Sequence, residues 1–281
     1  MQTTISLQEE LQCRLKSSLF FLDIDPAAAI PEMLSWSWLR HSSLLFYHSW
    51  LLQQLQQPEQ AIEARQQASV AAGHAFGYAN AYDYYPRLMN CFKHALFSGN
   101  TQAASEWAVL LQKSQQSDPQ NCVYYYLPFY RLLTCIWLDK PVDFALYQKA
   151  MDKVAAIKSS RYPIGTMDVL QAIAANDAPA AAAALDEILV YHAKKAAKPG
   201  SFVYNDIEGF VYNTATLLCI TALWRGLALK PLLTKHRDTL KLMPQDLPHR
   251  TELSPKCRFI LPVDYIPDEL LAPWQQQRLG T

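Results

Sequence analysis

Turn residues stand near positions 57, 99, 139 and 176 of this chain, an interval of about 40 residues. That is the length of two helices and their connections, and everything between the turns carries helical spacing. Only eight glycines serve 281 residues, and the strict alternation of a half-buried strand is nearly absent. Gly99-Asn100, Asp139-Lys140-Pro141 and Asn176-Asp177-Ala178 each stop one helix and cap the next. A small residue soon follows each turn: Ala61, Ala103, Ala145 and Ala180. The expected fold class is therefore all-α: an array of antiparallel helical hairpins, either α-solenoid-like or an irregular helical bundle. No strict consensus accompanies the period, so the hairpins read as degenerate.

One domain over 1–281 is expected, with a subdivision into N-terminal helices (1–80), a hairpin array (81–243) and a Pro-rich tail (244–281). Ser6 and Glu9 read as a capping box for a first helix with Leu7, Leu11, Leu15, Ser18 and Leu22 on one face. A second helix runs from about Pro31 to Gln57, with an inward stripe of Leu34, Trp38, His41, Leu45, His48, Leu52 and Leu55. Ala61, Ala64, Ala68, Ala71, Ala72 and Ala75 then recur at helical spacing, small enough for a neighbouring helix to approach closely. The last major helix is placed at Asp206 to Ala228. From Pro244 onward five further prolines argue against another long helix, leaving a tail with one short extended piece at Arg258–Leu261. Phe259, Ile260, Leu261, Tyr265 and Ile266 require that tail to pack on the helices.

Apolar residues make up 51% and charged residues 18% of the chain, a balance that supports a large core and argues against disorder. The formal net charge is zero, so no global field draws nucleic acid or an anionic membrane. Arg225 to Arg258 is locally basic, read as a solvated face with a functional patch as the alternative. Six scattered cysteines suit a reducing compartment better than a disulfide framework. Glu9 and Glu10 stand where an export signal would be apolar, and the apolar run Gly209–Trp224 is short of the roughly 20 residues a membrane span needs. The expected location is the cytoplasm, with no membrane insertion.

Neither a phosphate-binding glycine loop, a G-x-S-x-G elbow, an H-E-x-x-H nor a C-x-x-C occurs. Asn205–Glu208 is acidic but lacks the aspartate-rich metal motif of a helical terpene synthase. Cys91 and His94 are spaced for a thiolate–imidazolium pair, the alternative being a buried Cys beside a rim His. His41 and His48 share a stripe without a third ligand. The chain reads as a non-enzyme with no cofactor and no metal. Aromatic clusters are its more specific feature. Tyr82, Tyr84 and Tyr85 surround Asp83 in a short connection, and Tyr124-Tyr125-Tyr126 opens a helix. Three consecutive tyrosines cannot face one seam, so they mark either a binding surface or a helix buried on several sides. Tyr82, Asp83, Tyr84, Tyr85, Tyr124, Tyr125, Asp206 and Glu208 are the candidate partner-binding residues.

The segment Asn176-Asp177-Ala178-Pro179-Ala180-Ala181, leading to Leu185, Ile188 and His192, precedes a helix that runs into Trp224-Arg225-Gly226-Leu227. With the closing Asp264-Tyr265-Ile266-Pro267-Asp268-Glu269-Leu270-Leu271, this pattern resembles the immunity protein 49 family of bacterial antitoxins over residues 160–272. The resemblance implies a cytoplasmic antidote that binds a toxin delivered between competing bacteria. With no catalytic machinery in the sequence, a one-to-one complex that occludes the cognate toxin's working surface is the expected mode of action. The alternative functions are a helical-repeat adaptor in a regulatory or secretion complex, and a helical enzyme with an unrecognised site.

Overall fold

The structure, a computed structural model, describes residues 3–4, 7–114, 127–156, 162–163, 165–196, 211–236, 257–258 and 265–278. Among them are eleven α-helices and a single two-residue strand pair, so the protein is all-α. The chain divides into two compact units: Met1–Trp107 with Pro248–Ile260, and Ala108–Leu247 with Leu261–Thr281. No helix among the described residues is long and apolar enough to cross a membrane.

The first unit holds α1 (Leu7–Leu22), α2 (Leu34–Gln54), α3 (Pro58–Gly77), α4 (Tyr84–Phe97) and the start of α5 (Thr101–Lys113). Each packs on its neighbour, α1 on α2, α2 on α3 and α3 on α4. The alanine stripe makes α3 the centre: Ala61, Ala64, Ala68, Ala71, Ala72 and Ala75 are all buried. Side chains this small let neighbours reach the α3 backbone itself. Ser42 Oγ and Ser35 Oγ on α2 donate to the carbonyls of Ala68 and Ala75 at 2.8 and 2.9 Å. From α4, the Cys91 thiol donates to Ala72 O at 3.2 Å. Pro31–Met33 forms a 3₁₀ turn ahead of α2, so that helix begins three residues later than its proline suggests. Thr3–Thr4 (β1) pairs in parallel with Cys257–Arg258 (β2), which puts extended chain next to the stretch read as Arg258–Leu261.

The turns are built as their residues dictate. Gln56, Gly99, Asp139 and Asn176 have left-handed φ values of 60, 73, 56 and 55°. In each, the next amide bonds a carbonyl five residues back: Gln57 to Leu52, Asn100 to Ala95, Lys140 to Cys135 and Asp177 to Ala172. These are Schellman closures, which satisfy carbonyls that a helix end otherwise leaves without a partner. Asn100, Asp143 and Asp177 then accept the amides of Ala103, Leu146 and Ala180 at 2.9–3.1 Å, capping the helices that follow.

The second unit holds the end of α5, then α6 (Leu127–Trp137), α7 (Phe144–Ala155), α8 (Thr166–Ala174), α9 (Ala178–Ala196), α10 (Asn213–Trp224) and α11 (Asp268–Arg278). Thr214–Leu223 of α10 is buried throughout, and α10 packs on α6, α8, α9 and α11. That makes α10 a central helix with apolar residues all round. It begins at Asn213, since Val211 and Tyr212 are not helical, and it ends at Trp224 with Gly226 in the left-handed region. Helix α11 is an eleven-residue helix in the Pro-rich tail, where the sequence predicts only a short extended piece. Pro273 lies inside it, and the burial of Leu270, Leu271 and Trp274 outweighs the hydrogen bond that Pro273 cannot make. Trp274 stands edge-on to Trp137 at 5.2 Å, and Trp137 is stacked on Trp224 at 4.3 Å. The Trp224 indole also donates to Trp137 O at 2.9 Å. Tyr265 and Ile266 are fully buried, as their side chains require. Tyr265 accepts the amide of Tyr212 and lies edge-on to His192, whose ring stacks on Tyr212 at 4.0 Å. Phe259, Ile260 and Leu261, and the Ser6 capping position, lie outside the described residues.

Candidate functional site

The aromatic connection between α3 and α4 is set by Asn80. Its side-chain oxygen accepts the amides of Tyr82 and Asp83, each at 2.9 Å, an arrangement that folds four residues into a tight turn. Tyr82 is left 73% exposed and Tyr78 52% exposed. Tyr84 and Tyr85 begin α4 and are half-buried, edge-to-face with each other at 5.4 Å, and Tyr84 leans on Phe76.

Asp83 turns inward. It is buried and pairs with Arg87 one helical turn on at 3.5 Å, rather than capping its own helix or meeting solvent. Arg87 is itself only 1% exposed. Its Nε donates to Ser35 Oγ at 2.8 Å, and its guanidinium lies 4.3 Å from the centre of the Trp36 ring. Ser35 passes its own proton to Ala75 O, so one buried cation ties α2, α3 and α4 together. Trp36 covers that cation from the solvent side and is 51% exposed. The outcome is a surface presenting Tyr82, Tyr78 and Trp36 on a fixed polar base.

Sequence reasoning found the tyrosines and Asp83 but missed Ser35, Trp36 and Arg87. Two signals were available. Arg87 follows Asp83 by four, the spacing of a helical ion pair, and Trp36 stands off the inward stripe that holds Trp38. Tyr124, Tyr125, Asp206 and Glu208 lie outside the described residues.

The remaining candidates resolve into structural roles where they are described. Burial pushes the Cys91 thiol up to about 12 and holds His94 well below its usual range, which opposes a thiolate–imidazolium pair. Neither ring nitrogen of His94 has a hydrogen-bond partner, and the ring packs edge-on to Phe46 and Phe97. His48 meets Ser18 of α1 at 2.8 Å, a nucleophile-and-base pairing in form. Ser18 directs its single proton to Leu15 O at 2.8 Å, so His48 donates to Ser18 and the contact is a clip between α1 and α2. Desolvation lowers the pKa of both His41 and His48. Three basic residues of the Arg225–Arg258 segment are paired within the second unit: Arg225 with Asp139, Lys235 with Glu187, and Lys230 with Asp268 at 2.6 Å. Arg237, Lys241, Arg250 and Lys256 lie outside the described residues. Cys13, Cys91, Cys135 and Cys219 are free thiols. No family model, no curated protein and no solved structure matches this chain.

Proposed function

We propose that this protein is an immunity protein, a cytoplasmic antidote that binds one copy of a cognate protein toxin and blocks its working surface. The observation that carries the reading is the exposed aromatic surface of Tyr82, Tyr78 and Trp36 held on the buried Asp83–Arg87–Ser35 base. Aromatic side chains with a polar tip dominate binding energy at protein interfaces. A base fixed before the partner arrives lowers the ordering cost of association. The resemblance of residues 160–272 to immunity protein 49 supports a toxin as the partner.

The test is co-purification with the product of the neighbouring gene, followed by rescue of cells expressing that product. A stable one-to-one complex and rescue are expected. Tyr82→Ala or Trp36→Ala should each weaken the complex by about 2 kcal/mol, roughly thirtyfold in Kd. A toxin that kills equally well with this protein present, with no complex on size-exclusion chromatography, overturns the reading in favour of the adaptor.

A further inference from the structure

Three helices of the second unit, α6, α8 and α10, end around one cavity. It has a volume of about 400 Å³ and lies between the turn from α6 to α7, the last turn of α8 and Arg225. Ile136, Val142, Phe144 and Ala174 give it apolar walls, and Asp139, Lys140, Gln171 and Arg225 are its polar groups. That volume falls within the roughly 300–1,000 Å³ of a small-molecule site.

We propose that this cavity binds a small organic acid, a single carboxylate on an apolar body about the size of a benzene ring. The charge of the lining selects an anion, because Lys140 and Arg225 stand against Asp139 alone. The neighbouring carboxylates of Asp143 and Asp177 do not line the cavity. They accept the amides of Leu146 and Ala180 and so cap α7 and α9. Helix C-termini also carry partial negative charge, which open carbonyls would turn on an anion. Here the chain closes them. The carbonyls of Cys135, Ala172 and Ala222, one in each helix end, accept the amides of Lys140, Asp177 and Leu227. Trp137 O accepts the Trp224 indole.

Arg225 is placed to take the carboxylate. It holds Asp139 through Nη1 only, and Asp139 is 79% exposed, so water screens that pair. Arg225 Nε has no hydrogen-bond partner among the described residues, although only 19% of the side chain is exposed. A carboxylate along the Nε–Nη2 edge satisfies it bidentately, the geometry in which a guanidinium binds a carboxylate most strongly. Lys140 has no carboxylate partner among the described residues and supplies a second cation at the same cavity. The apolar walls select against phosphate, whose remaining oxygens would lose water there without a partner. All of these residues belong to the second unit, so the inference does not depend on the toxin reading, which uses Tyr82, Tyr78 and Trp36 of the first.

Isothermal titration of the full chain with 3-phenylpropionate tests it, with 3-phenylpropionamide as the uncharged counterpart. The acid should bind saturably, and the amide roughly tenfold or more weakly, since it forgoes the hydrogen bonds between charged groups. Arg225→Met should weaken the acid roughly tenfold and leave the amide unchanged. Ala175 lines the cavity and is exposed, so Ala175→Trp fills it without entering the core. That variant should lose binding and keep its helical spectrum. No saturable binding by the native chain overturns the proposal. Equal affinity for acid and amide overturns it too, as does binding that survives both substitutions. Binding of an N-acetylated tripeptide ending in phenylalanine, without binding of the free acid, overturns it in favour of a partner's chain end.

Discussion

Arg87 carries the aromatic surface, and its energetics are those of a buried charge rather than of a surface salt bridge. Removing one member of such a pair leaves the other desolvated, commonly at a cost of about 3–5 kcal/mol. Arg87→Ala should therefore destabilise the protein by about 3 kcal/mol or more in urea unfolding, since it strands Asp83 and frees Trp36 and Ser35 together. Asp83→Leu combined with Arg87→Met should recover much of that loss, because two apolar groups leave no charge behind. Equal losses for the single and double variants would show that packing by the Arg87 stem, not charge, dominates. The sequence disclosed Asp83 as a notable residue but not its direction. A carboxylate beside three tyrosines reads as a solvent-facing anchor until the buried cation four residues on is placed against α2, which is a contact across 52 positions of chain.

Among elements, the connections were the most legible because each rests on a local rule. Glycine, asparagine and aspartate tolerate left-handed φ, and Gly99, Asn176 and Asp139 occupy that region as the turn signals at those positions suggest. Gln56 has no such tolerance, yet it sits at φ 60° because the closure to Leu52 and the start of α3 at Pro58 fix the chain on both sides. Gln56→Gly should relieve that strain and raise stability by about 1 kcal/mol, less a few tenths for the entropy of the unfolded glycine. A drop in thermal midpoint for this variant would mean that the Gln56 side chain contributes more than its backbone costs. Helix α11 was hidden by the same local reasoning. Counting prolines ruled out a long helix but not an eleven-residue one with a single internal proline, and Trp274 meets its partners in α6 and α10 only after folding.

At the scale of the whole molecule, the all-α class was legible from helical spacing alone, whereas the division after Trp107 was not. It falls inside α5, in uninterrupted helical pattern, and it depends on contacts such as β1 with β2 that join the two ends of the chain. The same separation of local from distant determines how stability responds to acid. His48, His94 and His236 are buried, and burial lowers the pKa of each, to about 4 for His236, where Asp186 opposes the shift and Lys230 adds to it. The unfolded chain takes up protons on these rings near pH 6.5 while the folded protein does not, so the unfolded state binds more protons below that pH. Stability is thus complete above pH 6.5, falls as the pH drops below it, and goes on falling until His236 itself titrates near 4. Urea midpoints measured from about pH 7 down to about pH 5 should decline with a slope of roughly one to three protons. His94→Leu should reduce that slope and raise the midpoint at neutral pH, since it replaces two ring nitrogens without hydrogen-bond partners by an apolar side chain between Phe46 and Phe97. A midpoint that stays level across the range, or a His94→Leu slope equal to that of the native chain, would place these rings in water and remove them from the acid response.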